Sequence, residues 1–371
     1  MSDILAVKYR PKKLSDVVGQ EQAVRVLTNS IQSGKFHHAY IFSGKFGTGK
    51  TSCARIFAAS LNNPNGVTLE PNVDSKIIQS IFAGSHIDIK EIDAASQNSI
   101  DGMRELKNSI QMSPVEARYR FVILDESHRL SAAATEAALK MIEEPPPKTI
   151  FILATTDPQK IKDTIHSRCL SLSFNPVIWS DIFAHLKDIA DKENIKYEDG
   201  ALKVAARKSK GSVRNALQNL QMLSTLYGED KITTDAATTA LDMIDDNSYF
   251  DFMDSILQSD ASQMMKSVQN MVKNENNVEE VIDGLVMHLR NLLISYLSSD
   301  DILLNNISEE DQKRYAYQLS KMPDNKKVDF ITYLIDQASY ISRGVRFNIN
   351  AQTMFENFAI KSIAKKTQLS A

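Results

Sequence analysis

Along the first half of the chain, short apolar runs alternate with longer stretches whose apolar residues recur every three or four positions. Ala39–Ser43, His86–Asp93, Arg120–Asp125 and Thr149–Thr155 read as strands. The run Cys169–Phe174 alternates apolar and polar residues, which predicts a strand with one polar face. Between these runs lie helical patterns such as Lys50–Leu61 and Ser131–Glu144. Ser131 is placed to cap the second, and Pro145, Pro146 and Pro147 stop it. Strands alternating with helices imply crossover units and a largely parallel sheet, so the first region is α/β.

After Pro176 the strand signals stop. Ser180 to about Leu226 holds three helical patterns, with breaks expected at Asp199-Gly200 and Lys210–Ser212. From about Thr233 onward the pattern is helical again, with polar breaks at Asp245–Asn247 and Asn274–Asn277. Ile282, Leu285, Val286, Leu289, Leu293 and Tyr296 form one stripe, read as the core of a helical bundle. Three domains are expected: 1–176, 177–238 and 239–371.

Composition adds exclusions. The 371 residues are 43% hydrophobic and 24% charged, which rules out a disordered or fibrous chain. A net charge of -3 gives no global basic field, although local basic patches remain open. Two cysteines, Cys53 and Cys169, exclude a disulfide framework and any site needing four thiolates from this chain. No secretory pattern opens the sequence and no apolar run is long enough to span a membrane, so a cytoplasmic protein without membrane partners is expected.

Gly44-Lys-Phe46-Gly47-Thr48-Gly49-Lys50-Thr51 fits the phosphate-loop spacing and is followed by Ser52. Glycines let the backbone turn its N–H groups toward phosphate oxygens, Lys50 reaches the β- and γ-phosphates, and Thr51 ligates Mg²⁺. The pattern follows a strand and opens a helix, the context such a loop requires. Asp125 and Glu126 end an apolar strand. Asp125 suits Mg²⁺, directly or through water, and Glu126 suits a general base.

Thr155 and Thr156 end the next strand, where a hydroxyl can meet a γ-phosphate or the attacking water. Arg168 and Arg214 gain interest only beside such a site, because a guanidinium fork matches phosphate oxygens. His128 is read as structural and Cys53 as a small core residue. His166 and Cys169 are three apart with no further soft ligand nearby, so no metal site is argued there.

Lys8–Pro11, Asp16–Gln20, His37–Gly44, Glu91–Ser96, Glu143–Pro146, Leu153–Lys160 and Ser167–Cys169 occur in an order that resembles the gamma/tau subunits of the bacterial DNA polymerase III clamp loader, members of the AAA+ ATPases. The resemblance is dense from about residue 7 to 176, weaker through Arg214, and beyond that one of length and helicity. It implies an α/β AAA+ phosphate-loop domain, a small helical lid and an all-α collar. It implies that Tyr9, Arg10, Pro11 and Val18 border the adenine, that Thr156 is the first sensor and Arg214 the second, and that Arg168 is an arginine finger reaching a neighbouring subunit's ATP. The implied cofactors are ATP and Mg²⁺. The implied partners are other subunits in a five-membered arc, a sliding clamp, primer–template DNA and, indirectly, a replicative polymerase. Two other readings stay open: another AAA+ remodeller, such as a helicase loader or branch-migration motor, and a structural subunit that binds ATP with little turnover.

Four departures qualify the resemblance. The family's four zinc-binding cysteines fall on Asn63, Asn72, Ser75 and Ile78, so no zinc is expected. Asn215 replaces the Asp after the second-sensor arginine, and Ser127 stands at the variable position of the acidic motif. The chain stops near the expected end of the collar, so tau's long extension is expected to be absent. Such erosion would suit a divergent or viral copy.

Overall fold

The computed structural model describes residues 4–95, 100–243, 246–272, 278–297, 307, 309–323, 326–346 and 350–370. Five strands, β1 (Ala39–Gly44), β2 (Ile89–Asp93), β3 (Arg120–Asp125), β4 (Thr149–Thr155) and β5 (Leu170–Phe174), form one sheet in the order β2-β3-β4-β1-β5. Every pairing is parallel. The register sets Asp93 beside Asp125 and Ser43 beside Thr155, so the chemistry-bearing strand ends share one edge of the sheet. In such sheets ligands gather beyond the carboxyl ends of the strands, where the order reverses.

The uninterrupted apolar runs reflect a sheet covered on both faces. Tyr40, Phe42, Phe121, Ile123, Ile150 and Ile152 pack into a core with α2 (Glu21–Ser33), α3 (Lys50–Leu61) and α4 (Lys76–Ala83). Their alternates Ile41, Val122, Leu124, Phe151 and Leu153 face a second core with α5 (Ile100–Ile110) and α6 (Ala132–Glu143). Ser131 caps α6 by accepting the Ala134 N–H at 3.2 Å, and the helix ends before Pro145.

A short α7 (Asp163–His166) leads through Arg168 into β5, and the helices α8 (Trp179–Lys192), α9 (Asp199–Lys208) and α10 (Val213–Tyr227) pack on one another. The chain divides into two compact units, Met1–Ala237 and Thr238–Ala371, with α11 (Thr234–Ala240) at the division. The second unit is helical where described: α12 (Asp246–Gln258), α13 (Ala261–Met271), α14 (Val278–Leu297), α15 (Glu309–Ser320), α16 (Lys327–Arg346) and α17 (Ala351–Ser370). Its core contains Ile282, Leu285 and Leu289 of the expected stripe, with Val286 and Leu293 partly buried.

Several local expectations are revised. β2 starts at Ile89 rather than His86, because His86 Nδ1 accepts the Asp88 N–H at 3.1 Å and the chain turns there. Asp199-Gly200 is the first turn of α9 and not a break. A Cβ on Gly200 would lie 2.1 Å from Thr234 Oγ1, so the glycine allows close packing against the start of α11. Tyr296 ends the stripe at the surface, 43% exposed, with Lys327 over its ring. Ser96, Asn274–Asn277 and Asp245 lie outside the described residues.

Candidate active site

Backbone geometry builds the loop between β1 and α3. Gly44 has φ 153°, and a Cβ there would sit 2.0 Å from the carbonyl oxygen of its neighbour Phe174. Gly47 has φ 75°, and its Cβ would meet Ser212 Oγ at 2.1 Å and Arg214 Cβ at 3.1 Å. Only glycine allows both the left-handed turn and this close approach of α10. Ser212 caps α10 by accepting the Asn215 N–H at 3.2 Å, and the Arg214 guanidinium lies 5.0 Å from the Phe46 ring centre. The helical module therefore closes over the loop with a cation at its leading end.

Lys50 is buried, and its ammonium donates to the carbonyl oxygens of Gly44 and Lys45 at 2.8 and 2.9 Å. Burial pulls its pKa below the ordinary lysine value, while Asp125 and Glu126 act in the opposite direction. Thr48 Oγ1 donates to the Lys45 carbonyl at 2.8 Å, tightening the loop. Thr51 Oγ1 donates to Asp125 Oδ2 at 3.0 Å, so the hydroxyl and carboxylate expected to share a hard cation are neighbours. Both offer oxygen donors, the ligand chemistry Mg²⁺ takes.

Asp125 Oδ1 accepts the Glu126 N–H at 2.9 Å, and Glu126 itself has φ 51°. That left-handed conformation is uncommon for a non-glycine residue and redirects the side chain at the strand end. Thr156 Oγ1 donates to Glu126 Oε2 at 3.3 Å, and His128 Nε2 stands 3.5 Å from the same oxygen.

One cleft is bordered by Tyr9, Arg10, Pro11 and Val18, by the loop from Phe46 to Ser52, and by Asp125, Glu126 and Arg214. Four expected residues do not border it, among them Thr155, which is fully buried at the end of β4. Gly44 shapes the loop from beneath, while Thr156 reaches the cleft only through Glu126. Arg168 points elsewhere: its guanidinium pairs with Glu143 at 2.9 Å and donates to the Thr164 carbonyl at 2.7 Å. Tyr9 donates to Glu193 Oε1 at 2.5 Å, which raises the phenol pKa, and Lys8 pairs with the same carboxylate at 2.6 Å. These bonds fasten the amino-terminal segment to the end of α8. Burial pulls the Arg10 pKa down, with Arg55 and Arg214 adding to the effect.

Part of the lining leaves no mark in the sequence. Arg55 binds Glu91 through two nitrogens, at 2.8 and 2.9 Å, on the wall of the cleft. His185 and Leu217 line it from the helical module, and burial lowers the His185 pKa. Glu91 lies within a motif, but nothing in the sequence paired it with Arg55. His185 is a lone histidine on a helix and gives no sequence signal.

The four positions that correspond to zinc ligands do not fit that metal. Asn63 Oδ1 accepts the Asn72 N–H at 3.0 Å, and its amide donates to the Gly66 carbonyl at 3.1 Å. Ser75 immediately precedes α4, and Ile78 is buried in the core. Amide hydrogen bonds and an apolar contact occupy the places where thiolates would be needed.

Two family models match the chain: "DNA polymerase III, delta subunit" over residues 19–178 and "DNA polymerase III clamp loader subunit, ATPase lid domain" over residues 181–220. DNA polymerase III subunit gamma of Buchnera aphidicola subsp. Baizongia pistaciae is 34% identical over 315 residues, covering 85% of each chain. This chain belongs to the DNA polymerase III gamma/tau family. The tau/gamma subunit of Haemophilus influenzae is 36% identical over 325 residues, covering 85% of this gamma/tau-family chain and 47% of that protein. The chain therefore spans about half the length of that longer relative. Among solved structures, the Thermotoga maritima RuvB Holliday junction branch migration motor is 20% identical over 67% of this chain and 79% of that one, with a TM-score of 0.48. Among the described residues no helix is long and apolar enough to cross a membrane.

Proposed function

We propose that this gamma/tau-family chain is a clamp-loader ATPase subunit, using ATP binding and hydrolysis to open a sliding clamp and load it onto primer–template DNA. The observation that carries the reading is one cleft bordered by the buried Lys50, the Thr51–Asp125 pair, Glu126 and Arg214. In this reading Tyr9, Arg10, Pro11 and Val18 border the base, and the backbone from Gly44 to Ser52 wraps the phosphates. Lys50 and Arg214 meet their negative charge. Thr51 and Asp125 would hold Mg²⁺, which when bound neutralises phosphate charge. Glu126 takes a proton from the attacking water, and Thr156 sits behind it as the first sensor.

Arg168 fits action in trans. Its position outside this cleft is what a finger directed at a neighbouring subunit's ATP requires. ATP would then hold two subunits together and hydrolysis would release them. The expected assembly is a five-subunit arc in which residues 1–176 form the motor, 177–238 the lid and 239–371 the collar, acting in the cytoplasm with the replicative polymerase. DNA contacts would be to the backbone and so weaken with salt.

The test is ATPase activity of the purified assembly with sliding clamp and primer–template DNA, separately and together. Stimulation should need both, Lys50→Ala should abolish it, and the native mass should give five subunits. A six-membered ring stimulated without the clamp would instead indicate a different AAA+ remodeller. Tight ATP binding with negligible turnover under every condition would indicate a structural subunit.

A further inference from the structure

His128 is three residues from Asp125 and lies behind the cleft rather than in it, with its side chain 11% exposed. From the sequence it is expected to be structural. Its ring lies between Thr155 and Glu126. Asp157 N–H donates to Thr155 Oγ1 at 3.0 Å, and Thr155 is fully buried at the end of β4. The Thr155 hydroxyl has one proton of its own, and His128 Nδ1 lies 3.1 Å away. With one lone pair taken by the Asp157 N–H, the hydroxyl can turn its own proton to Nδ1, an arrangement that leaves the ring proton for Nε2. Nε2 is the atom that stands 3.5 Å from Glu126 Oε2.

Thr156 Oγ1 donates to that same Oε2, at 3.3 Å. The Thr156 hydroxyl donor and the His128 Nε2 atom thus both lie beside the same oxygen of the carboxylate. Glu126 needs such support. Its backbone is left-handed at φ 51°, and a carboxylate on a strained strand end has several rotamers open to it. A histidine held through Nδ1 by a buried threonine presents Nε2 in a set direction, as a supporting group does for a ligand or base in other sites.

We propose that His128 is a positioning residue for the Glu126 carboxylate, with Thr155 fixing its tautomer so that Nε2–H faces Oε2 and Oε1 is left to take the proton from water. The proposal rests on the reading of Glu126 as the general base. No new bond is made or broken at His128. It holds one oxygen while the other acts, and the proton stays on Nε2.

The experiment uses the full chain in its purified assembly, with ATP, sliding clamp and primer–template DNA. It measures single-turnover phosphate release and, separately, nucleotide affinity. His128→Ala should slow the chemical step about 10- to 100-fold while leaving nucleotide affinity within about 2-fold. His128→Gln should recover most of the rate, because its amide both donates toward Glu126 and accepts from Thr155. Thr155→Val should slow the step and Thr155→Ser should restore it.

The deciding comparison puts His128→Ala into a Glu126→Gln background. If histidine acts through the carboxylate, the second change adds less than about 2-fold, since the group it positions is already gone. A further 10-fold loss there, or an unchanged rate in His128→Ala alone, overturns the proposal while leaving Glu126 as the base. Full activity in Glu126→Gln alone overturns the general-base reading itself. If His128→Ala does not fold, the Thr155→Val and Thr155→Ser pair decides the matter. Equal rates in those two variants would contradict the positioning chain.

Discussion

The two ends of the same parallel sheet handle their carboxylates in opposite ways. At the amino end, just before β2, Asp88 is buried and has no spare capacity. It accepts the N–H groups of Val115, Glu116 and Ala117 at 2.8 to 3.0 Å and pairs with Arg120 at 3.0 Å. Arg120 also donates to the carbonyls of Ile110, Met112 and Ser113, which ties the crossing between α5 and β3 to the sheet. At the carboxyl end, Asp125 and Glu126 are only partly buried and face an open cleft. The fully satisfied carboxylate is built for stability, and the partly satisfied pair has acceptor oxygens left for chemistry. A charge near a strand end is therefore read by how many of its acceptors the protein has already used.

Breaking Asp88 should produce the largest effect on stability. Asp88→Ala strands the buried Arg120 charge and should cost about 3–5 kcal/mol, measured by urea unfolding. Nucleotide affinity of the molecules that remain folded should be unchanged. If Asp88→Ala instead left stability intact and weakened ATP binding, the division between the two ends would be wrong.

Lys50→Ala should do the converse. Losing a charge-assisted contact to phosphate should lower ATP affinity about 10- to 100-fold, measured by titration with a fluorescent nucleotide. It also removes a buried ammonium that burial disfavours, so unfolding should shift little.

Acid titration sharpens the contrast. Burial alone would raise the Asp88 pKa, but its backbone donors and Arg120 overcome that and hold it at about 2, against an ordinary value of 3.8. A depressed carboxylate stabilises the fold above its ordinary value, and that stability is lost as the pH falls from about 4 toward 2. The loss should be on the order of 2 kcal/mol, and Asp88→Asn should unfold with a flatter acid limb. The smallest effect belongs to the site's periphery. Tyr9→Phe removes one partly buried hydrogen bond to Glu193 and should cost about 1 kcal/mol or less in thermal unfolding.

Much of this arrangement was legible because physics leaves little choice in it. The continuous apolar runs of β1, β3 and β4 could belong only to buried strands, and the start of α3 is set by Gly49-Lys50. The phosphate-loop spacing and the carboxylates after β3 located the cleft. What was hidden depends on contacts distant in sequence. The pairing of Arg55 with Glu91 spans 36 residues, and the Thr155–His128 link spans 27. The start of β2 is hidden because His86 fits a strand pattern until its ring turns back to the Asp88 N–H. Arg168 could be singled out by its motif, but no pattern within the chain announced its pairing with Glu143.

The proposed hydrolysis of ATP in the cleft, with Glu126 as the base, can be measured directly. The direct measurement is phosphate release by wild type and Glu126→Gln, each in the assembly with sliding clamp and primer–template DNA at saturating ATP. The variant should bind ATP as tightly as wild type, keep its unfolding midpoint, and release phosphate about 10²- to 10⁴-fold more slowly. Phosphate release at the wild-type rate by a variant that still binds ATP would mean that Glu126 is not the base.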